Sequence, residues 1–442
     1  MTRARKNGLV LLCIVLIPLA AARGEMEYPP RLPGGGQVAT DTTDAFLKPP
    51  ESLKHVAVAK AAPTVDFLYY PAQTYKGKPW SNWGDGCAVG EKYYSAIGDH
   101  LAPAGNAFVH EYDAFTKKLR LLVDLRKVLK MPEGHYTPGK IHSRIDMGDD
   151  GWLYFATHRG STRVTTDEYH YKGDWIIRHH PPSGRTEVVS HGPVGKQCIP
   201  CSVLDPKRLI FYGSTQPGDT ADKRHTFFAY DTKAGKLLYR GYGGPGRYMI
   251  FARSTGRVYY TAELAGKLYR YDPAAGGAPV ELDAEIGLRA ATQETPQGHV
   301  YTVSTRGESE IYRFDTRTEK VERLGPAAVG SQAYITTIDA DPTGTYLYYV
   351  PGAHGGTDRD GAAVVQYDVR TRKKKVVAFL HPFLKDKYGY TPIGTFSTAV
   401  SPGGERLYIT WHGSCAATWS RRPPWDACAL TVVHIPESER RT

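Results

Sequence analysis

The stretch Arg257-Val-Tyr-Tyr-Thr261, followed by Lys267-Leu-Tyr-Arg-Tyr-Asp272, holds two short β-strand patterns and ends in an aromatic residue followed by aspartate. Short runs rich in β-branched and aromatic residues, bounded by turn residues, are typical of strands. The aromatic–aspartate pair recurs along the chain, each time before a turn and a further charged, strand-like run. Its copies are Tyr112-Asp113, Tyr230-Asp231, Tyr271-Asp272, Phe314-Asp315 and Tyr367-Asp368, with degenerate copies at His179-His180 and His434-Ile435.

The spacing of these copies predicts the fold. Successive copies are 41 to 67 residues apart, and a repeat of about 40 to 50 residues with four strands is typical of a β-propeller blade. We therefore predict an all-β, seven-bladed β-propeller over residues 51–442. The last unit lacks a fourth strand, and we expect residues 55–59 to supply it and thereby to close the ring. The first unit should then begin near residues 65–70.

The N-terminal segment has the features of a targeting sequence. Residues 1–22 combine a basic start, an apolar run from Gly8 to Leu19 and small residues after it, which is typical of a secretory signal peptide. The apolar run is too short to span a membrane. Residues 23–50 are rich in Gly, Pro and Thr, which predicts a disordered lead-in. We expect a secreted or periplasmic monomer without a membrane span.

Five cysteines follow the signal segment, and an oxidising compartment would favour their pairing. Cys415 and Cys428 bracket a loop, and we predict a disulfide between them. Cys198 and Cys201 form a Cys-x-x-Cys motif without a thioredoxin-like pattern or a second pair for zinc around it. We expect a local disulfide there, or a bridge from one of the two to Cys87.

The charge balance indicates the class of partner. The net charge is +11, and removing the three basic residues of the signal segment leaves +8 (11 − 3). A secreted basic protein is better matched to an anionic polysaccharide than to nucleic acid. Part of this charge lies between Arg370 and Lys375, in a predicted outer strand, where it only solvates the surface.

A propeller brings equivalent loops of all blades to one mouth, so residues distant in sequence can share a site. Alignment of the units places the ends of their second strands at the same end, with His142 of a first strand nearby. Long insertions after these strands carry Arg and aromatic residues, which suit the carboxylates and the apolar faces of acidic sugars. The predicted binding residues are Arg159, Glu263, Arg306, His354, Trp411 and His412.

From Lys140-Ile-His142 to Thr157-His158-Arg159 the chain resembles the seven-bladed propeller polysaccharide lyases, notably secreted ulvan lyases. Those enzymes have one His in the first strand and one at the end of the second strand of a blade, followed by a Tyr and an Arg from the next blade. The resemblance implies His142 and His158 as the pair, with Tyr212 and Arg224 completing a catalytic set. Tyr230 and Arg240 are rivals for the last two positions.

These residue types suit β-elimination of a uronate. Its C5 proton becomes acidic only when a cation offsets the carboxylate charge, and a base and an acid must then move protons. We assign Arg224 and His158 to charge neutralisation, and His142 or Tyr212 to proton transfer.

Two other classes of function remain open at this stage. One is a non-catalytic propeller that binds a sugar or a protein. The other is a metal-dependent hydrolase or lactonase, in which Glu263 and histidines of neighbouring blades would hold a divalent ion such as calcium or zinc. A quinone-cofactor propeller is a further option, although the stacked Trp signals of that group are absent.

Overall fold

A computed structural model describes residues 28–75, 80–160, 165–218, 224–305, 309–415 and 425–440. They form seven small antiparallel sheets with few helices. First strands of neighbouring sheets contact one another, as Ile338–Ala340 does with Thr391–Val400 and Gln197–Asp205 does with Ile250–Ala252. The sheets stand in a ring with their first strands towards the axis, and the predicted seven-bladed β-propeller is confirmed.

The blades are numbered here in chain order, and the strands of each are given from the axis outwards. Blade 1 contains Cys87–Val89, Lys92–Gly98, Ala107–Asp113 and Lys118–Asp124. Blade 2 contains the interrupted inner strand Lys140–Ile141 and Asp146–Met147, then Leu153–His158, Trp175–His180 and Arg185–His191. Blade 3 contains Gln197–Asp205, Ile210–Pro217, Thr226–Asp231 and Lys236–Tyr242. Blade 4 contains Ile250–Ala252, Arg257–Thr261, Ala265–Tyr271 and Val280–Gly287.

The remaining blades follow the same plan. Blade 5 contains Ala290–Ala291, His299–Val303, Glu310–Asp315 and Val321–Pro326. Blade 6 contains Ile338–Ala340, Tyr346–Tyr349, Ala363–Asp368 and Lys373–Phe379. Blade 7 contains Thr391–Val400, Arg406–Ser414, Ala427–His434, Thr64–Tyr69 and Ala39–Thr42. The α-helices are Leu125–Leu129, Phe383–Tyr388 and Glu437–Arg440, and the 3-10 helices are Pro33–Gly35, Asp44–Leu47, Glu51–Leu53, Asp167–Tyr169 and Thr357–Asp360.

The recurring aromatic–aspartate pair ends the third strand of its blade and has one physical role. In Tyr112-Asp113 the tyrosine is fully buried, and the aspartate Oδ1 accepts the backbone N–H groups of Phe115 and Thr116. This is an Asx turn, in which the side chain takes the place of a backbone acceptor. The same two bonds occur at Asp231, Asp272, Asp315 and Asp368. The motif therefore anchors the third strand in the core and turns the chain into the outer strand.

Blade 7 takes its two outer strands from the N-terminal part of the described chain. Thr64–Tyr69 pairs antiparallel with Ala427–His434, and Ala39–Thr42 pairs with Thr64–Tyr69. The predicted location of this outer strand at residues 55–59 is wrong, because Val58 instead bridges to Val376 in the outer strand of blade 6. Residues 65–70 accordingly belong to blade 7 rather than to the first unit.

The predicted lead-in also differs from the structure. From residue 28 onwards the chain is ordered against blade 7 and its neighbour, since Ala39–Thr42 is a paired strand and the Phe46 side chain is fully buried. Burial of an aromatic ring offsets the entropic cost of ordering such a segment. The predicted signal segment, residues 1–22, lies outside the described residues. Each helix in the described ranges is too short or too polar to cross a lipid bilayer.

The predicted disulfide between Cys415 and Cys428 is not formed, and both are free thiols. The strand register explains this. Cys428 lies opposite His412, so Cys415 is an odd number of positions away from it along the paired strand. Side chains alternate between the two faces of a sheet, and Cys428 packs in the cluster towards blade 1 whereas Cys415 packs towards blade 6. Cys87, Cys198 and Cys201 are also unpaired, contrary to prediction.

Candidate functional site

Trp83 lies at the centre of the mouth of the propeller, just before the inner strand of blade 1. Four histidine rings surround it, with centroid distances of 5.4 Å to His100, 6.1 Å to His142, 5.7 Å to His354 and 6.1 Å to His412. The rings of Phe396 and Trp425 lie at 4.7 and 5.9 Å. These residues come from blades 1, 2, 6 and 7, so the ring of sheets brings distant parts of the chain together.

We define the mouth cluster as the side chains around Trp83 that reach this region from the inner ends of the blades. His142 follows the inner strand of blade 2, Arg247 and Arg289 precede those of blades 4 and 5, and Tyr334 precedes that of blade 6. The cluster consists of Trp83, His100, Lys140, His142, His158, Arg159, Arg247, Arg289, Tyr334, His354, Phe396 and His412.

His142 and His158 form a close pair whose hydrogen bonds assign different tautomers to the two rings. His142 Nδ1 lies 2.8 Å from the carbonyl oxygen of Pro200, which only accepts, so Nδ1 carries the proton and Nε2 carries the lone pair. His158 Nδ1 accepts the backbone N–H of Gly160 at 3.0 Å, so its proton is on Nε2. That Nε2 is buried and has no hydrogen-bond partner in the described chain.

Both imidazoles are neutral in this setting. Burial lowers the pKa of His142 and of His158 well below the usual 6.5, and the positive charge of Lys140 lowers both further. Arg247 adds to the effect, and its Nη1–H donates to the lone pair of His142 Nε2 at 3.4 Å. The pair therefore offers one lone pair and one N–H group, side by side, in a strongly positive environment.

Three guanidinium groups line the same mouth without a carboxylate partner. None of the ion pairs in the described part of the chain involves Arg159, Arg247 or Arg289, although Arg159 and Arg289 are less than a tenth exposed. Burial and the neighbouring charge of Arg289 lower the pKa of Arg247. Buried charges in proteins are normally paired, so this surplus of positive charge indicates a site for an anion.

Aromatic rings hold the guanidinium of Arg289. Its Nε donates to the Tyr334 hydroxyl at 2.8 Å, and its Cζ lies 5.2 Å from the ring centre of Tyr334 and 5.5 Å from that of Phe396. The exposed His354 ring packs on Tyr334 at 4.7 Å. Aromatic faces beside a fixed guanidinium suit a ligand with apolar faces and a carboxylate, as in an acidic sugar.

The axis below the mouth cluster is almost filled. A cavity of about 20 Å³, room for about one water molecule, lies between His142 and a layer formed by Asp85, Arg144 and Tyr248. In that layer the Tyr248 hydroxyl donates to Asp85 at 2.5 Å and receives a bond from Arg144 at 3.2 Å. A separate cavity of about 240 Å³ lies on the far side of the layer. A ligand at the mouth cluster must therefore lie across the mouth rather than pass along the axis.

Two of the four predicted catalytic residues lie away from the histidine pair. Tyr212 is fully buried between the aromatic rings of Phe227 and Tyr271, and its hydroxyl has no partner in the described chain. Its predicted role in proton transfer is wrong, because the side chain packs in the core between blades 3 and 4. Arg224 is exposed and stacks on Tyr242 of an outer strand, 3.4 Å from the ring centre.

The predicted binding residues differ in where the structure places them. Arg159, His354 and His412 belong to the mouth cluster, whereas Glu263 is exposed on the rim, where its charge raises the pKa of His225 against the lowering effect of burial. Arg306 lies outside the described residues. Trp411 is fully buried in the core, and its indole N–H donates to Thr431 at 2.8 Å, so its predicted contact with a ligand is wrong.

His412 supports the site without being available to a ligand. It is fully buried, with Nε2 bonded to the carbonyl oxygen of Ala353 at 2.8 Å and Nδ1 3.1 Å from the side chain of Asn82. Since both ring nitrogens are engaged, its role is to hold the Trp83 side of the mouth in place.

Sequence reasoning missed Trp83, Lys140, Arg247, Arg289 and Tyr334. The alignment used the ends of second strands, whereas these residues lie at the start of, or before, the inner strands, which are nearest the axis. The signal was available: Gly246-Arg247 and Leu288-Arg289 occupy equivalent positions before the first strands of blades 4 and 5.

Solved structures that resemble this chain are β-propellers. One is an oligogalacturonate lyase in complex with manganese, with a TM-score of 0.55 and 12% identity over 92% of this chain and 98% of that chain. An oligogalacturonate lyase from Vibrio parahaemolyticus has a TM-score of 0.52 and 10% identity, covering 91% and 98%. The WD40 repeats of RRP9 have a TM-score of 0.50 and 10% identity, covering 86% and 99%. At these identities the likeness shows the fold alone. No protein-family model and no curated protein matches the sequence.

The manganese in one of those enzymes raises the question of a metal here. Within the described ranges no group of three or more His, Cys, Asp or Glu side chains is placed to hold a metal ion. His158 presents an N–H group instead of a lone pair, and the guanidinium of Arg247 next to His142 repels a cation. The mouth cluster does not fit a divalent ion such as calcium or zinc, and we derive no chemistry through one.

Proposed function

We propose that this protein is a lyase that cleaves a uronate-containing polysaccharide by β-elimination at the mouth cluster. The observation that supports this most directly is that two guanidinium groups without a carboxylate partner in the described chain, Arg247 and Arg289, lie next to the neutral imidazoles of His142 and His158. The fold likeness to two oligogalacturonate lyases agrees with this proposal.

The first requirement of the reaction is a cation at the uronate carboxylate. A carboxylate next to C5 opposes removal of the C5 proton, because the carbanion adds negative charge beside it. Arg247 and Arg289 would take the carboxylate oxygens and stabilise the developing enolate. Since these groups have no carboxylate partner in the described chain, binding needs no ion pair to break.

The tautomers of the two histidines decide which ring removes a proton and which ring donates one. His142 Nε2, which has a lone pair because Nδ1 is held by Pro200 O, removes the C5 proton. The electron pair of the C5–H bond forms the C4–C5 double bond, and the C4–O bond breaks. His158 Nε2–H donates its proton to the leaving oxygen. This reverses the earlier assignment of His158, which becomes the acid instead of a neutralising cation.

The positive charges of the mouth cluster also set the pKa of His142, the proposed base. Burial, Lys140 and Arg247 lower the pKa of His142 in the free protein. A bound carboxylate offsets the charges of the neighbouring guanidinium groups and so raises the basicity of His142 when substrate is present. The imidazole is thus neutral before binding and becomes a stronger base once the uronate is in place.

The proposed substrate is a polymer outside the cytoplasm. Secretion rests on the composition of residues 1–22 alone. The partly exposed rings of Trp83 and Tyr334 would contact the apolar faces of sugar units lying across the mouth.

The proposal is tested by incubating the purified protein with a panel of polyuronates and following the ultraviolet absorbance of the unsaturated product. Ulvan, polygalacturonate, glycosaminoglycans and alginate present the carboxylate in different sugar contexts. We expect turnover on at least one of them, which persists after treatment with a chelator. Tight binding to the panel without any absorbance change would show a non-catalytic binding propeller and overturn the proposal.

A further inference from the structure

Lys140 occupies an unusual place in the mouth cluster. It begins the inner strand of blade 2, directly opposite His158 in the register, and only 7% of the residue is exposed. Its Nζ lies 3.7 Å from the ring centre of Trp83. None of the ion pairs in the described part of the chain involves this amine, so no carboxylate there offsets a positive charge on it, and the face of the Trp83 ring offsets only part of that charge.

The surroundings of the amine are positive or neutral. Burial is the main factor that lowers the pKa of Lys140 to about 7; Arg247 lowers it further, Cys198 opposes this, and Arg159 adds a smaller lowering effect. The positive charge of Lys140 lowers the pKa of each of the five histidines of the mouth cluster. At neutral pH a substantial share of this amine therefore has a free lone pair.

A structural role does not account for this arrangement. Burying a lysine without a carboxylate partner destabilises a fold, and the cation–π contact with Trp83 offsets only part of that cost, which an apolar side chain packed against Trp83 would not incur. A primary amine that is desolvated and placed next to other cations is the usual arrangement of a lysine nucleophile. Lys140 also lies at the mouth among anion-binding groups, which would bring an anionic ligand close to its amine.

We propose that Lys140 is a nucleophile that forms an imine with a ligand carrying both a carboxylate and an aldehyde or ketone. The ligand class comprises open-chain acidic sugars and small oxo acids. Arg247 and Arg289 would hold the carboxylate, and the carbonyl carbon would then face Nζ beside the indole of Trp83.

The step balances without any oxidant or reductant. The Nζ lone pair adds to the carbonyl carbon to give a carbinolamine. Loss of the hydroxyl group as water, with one proton from nitrogen, then forms the C=N bond. His158 Nε2–H can protonate the departing hydroxyl, and His142 Nε2 can accept the proton from nitrogen. The free amine is restored when water adds to the imine.

This inference goes beyond polymer cleavage and does not depend on it. Both reactions use the anion-binding groups and can use the histidine pair for proton transfer, but only imine formation requires the primary amine of Lys140, and only β-elimination requires cleavage of the polymer. A protein inactive on every polyuronate could still form the imine, and the reverse also holds, so the two proposals fail separately.

The test is reductive trapping at neutral pH with glyoxylate and cyanoborohydride, followed by peptide mapping by mass spectrometry. Within the same molecule Lys118 is an exposed lysine on the outer strand of blade 1 and serves as the reference. We expect Lys140 to be labelled at least about tenfold faster than Lys118, because most of an ordinary lysine is protonated at pH 7. Because the comparison is internal, it does not require a variant to fold.

Two controls define the outcome. Propanal, which lacks the carboxylate, should label Lys140 more slowly than glyoxylate, and Lys140→Arg, which keeps the charge but not the primary amine, should lose the fast label. If Lys140 is labelled no faster than Lys118, the proposal that Lys140 is a nucleophile is wrong. Equal rates with glyoxylate and propanal would overturn the assignment of an anionic ligand.

Discussion

The imidazole rings of His142 and His158 lie with their centroids 5.1 Å apart, and their backbone contacts leave a lone pair on Nε2 of His142 and an N–H group on Nε2 of His158. Two neighbouring histidines can thus serve as base and acid without either having to change charge before substrate binds. The difference arises from Pro200 in blade 3 and from Gly160 after the second strand of blade 2. It is invisible in the sequence.

Replacing His142 by glutamine should lower kcat on a cleaved polyuronate by about 100- to 10,000-fold, the usual effect of removing a general base. Polymer binding should change little, because the guanidinium groups remain. Absorbance kinetics and a binding assay on the same samples check this. His180→Gln is the matched control, since His180 is the last residue of the strand Trp175–His180, at the end away from the mouth, and its ring bonds to Ser183. Equal loss in both variants would contradict the role of His142.

The pH profile should reflect the lowered pKa of His142. Its neutral form is the active one, so activity of the free enzyme should persist below the usual histidine pKa of about 6.5 and fall only at more acidic pH. The pH dependence of kcat/KM measures this. An acid limb centred at or above pH 6.5 would contradict a base that is buried among positive charges.

Arg289→Met should make the free protein more stable and weaken its binding of an anionic polymer. Removing a buried guanidinium without a carboxylate partner should raise the free energy of unfolding of the free protein by about 1 kcal/mol, while affinity for an anionic polymer falls. Denaturant unfolding with and without ligand measures both effects. Arg270→Met is the comparison, because Arg270 pairs with Glu319 at 2.9 Å and its removal should give no gain. A less stable Arg289→Met protein would indicate a structural role.

Asp66 should contribute stability that is lost in acid. Burial raises the pKa of this carboxyl, but hydrogen bonds from His434, Lys117 and Thr40 outweigh it and bring the pKa to about 2, below the unfolded value of 3.8. Its contribution is therefore complete above pH 3.8 and disappears as the pH falls towards 2. Asp66→Asn should lower the free energy of unfolding by about 2 kcal/mol at pH 7, with the difference shrinking below pH 3.8. A pH-independent difference would contradict the linkage.

Cys415 and Cys428 should remain unlinked after purification in air. They face opposite sides of the blade 7 sheet, and a disulfide requires close β-carbons. Peptide mapping under non-reducing conditions should recover both as thiols, and a reducing agent should leave the unfolding temperature unchanged. Recovery of a Cys415–Cys428 peptide would show that the strand register differs from the one described here.

The repeat was sufficient to predict the architecture, because each copy carries its own local physics. The aspartate of every aromatic–aspartate pair closes the same turn, and the aromatic ring enters the core, so the blade number could be counted from the chain. The histidine pair could be found for a similar reason, since His142 directly follows one strand of blade 2 and His158 ends the adjacent strand.

Tertiary structure alone decided which residues reach the axis. Trp83, Arg247 and Arg289 meet only because neighbouring inner strands approach each other around the ring, while Tyr212 and Trp411 face the packing between blades. The sequence by itself determined the seven sheets and their turns, which depend on contacts within a few residues. Three features depend instead on contacts between residues far apart in the chain, which no local pattern records. They are the outer strand of blade 7, the tautomers of His142 and His158, and the lack of a carboxylate partner for Arg247 and Arg289.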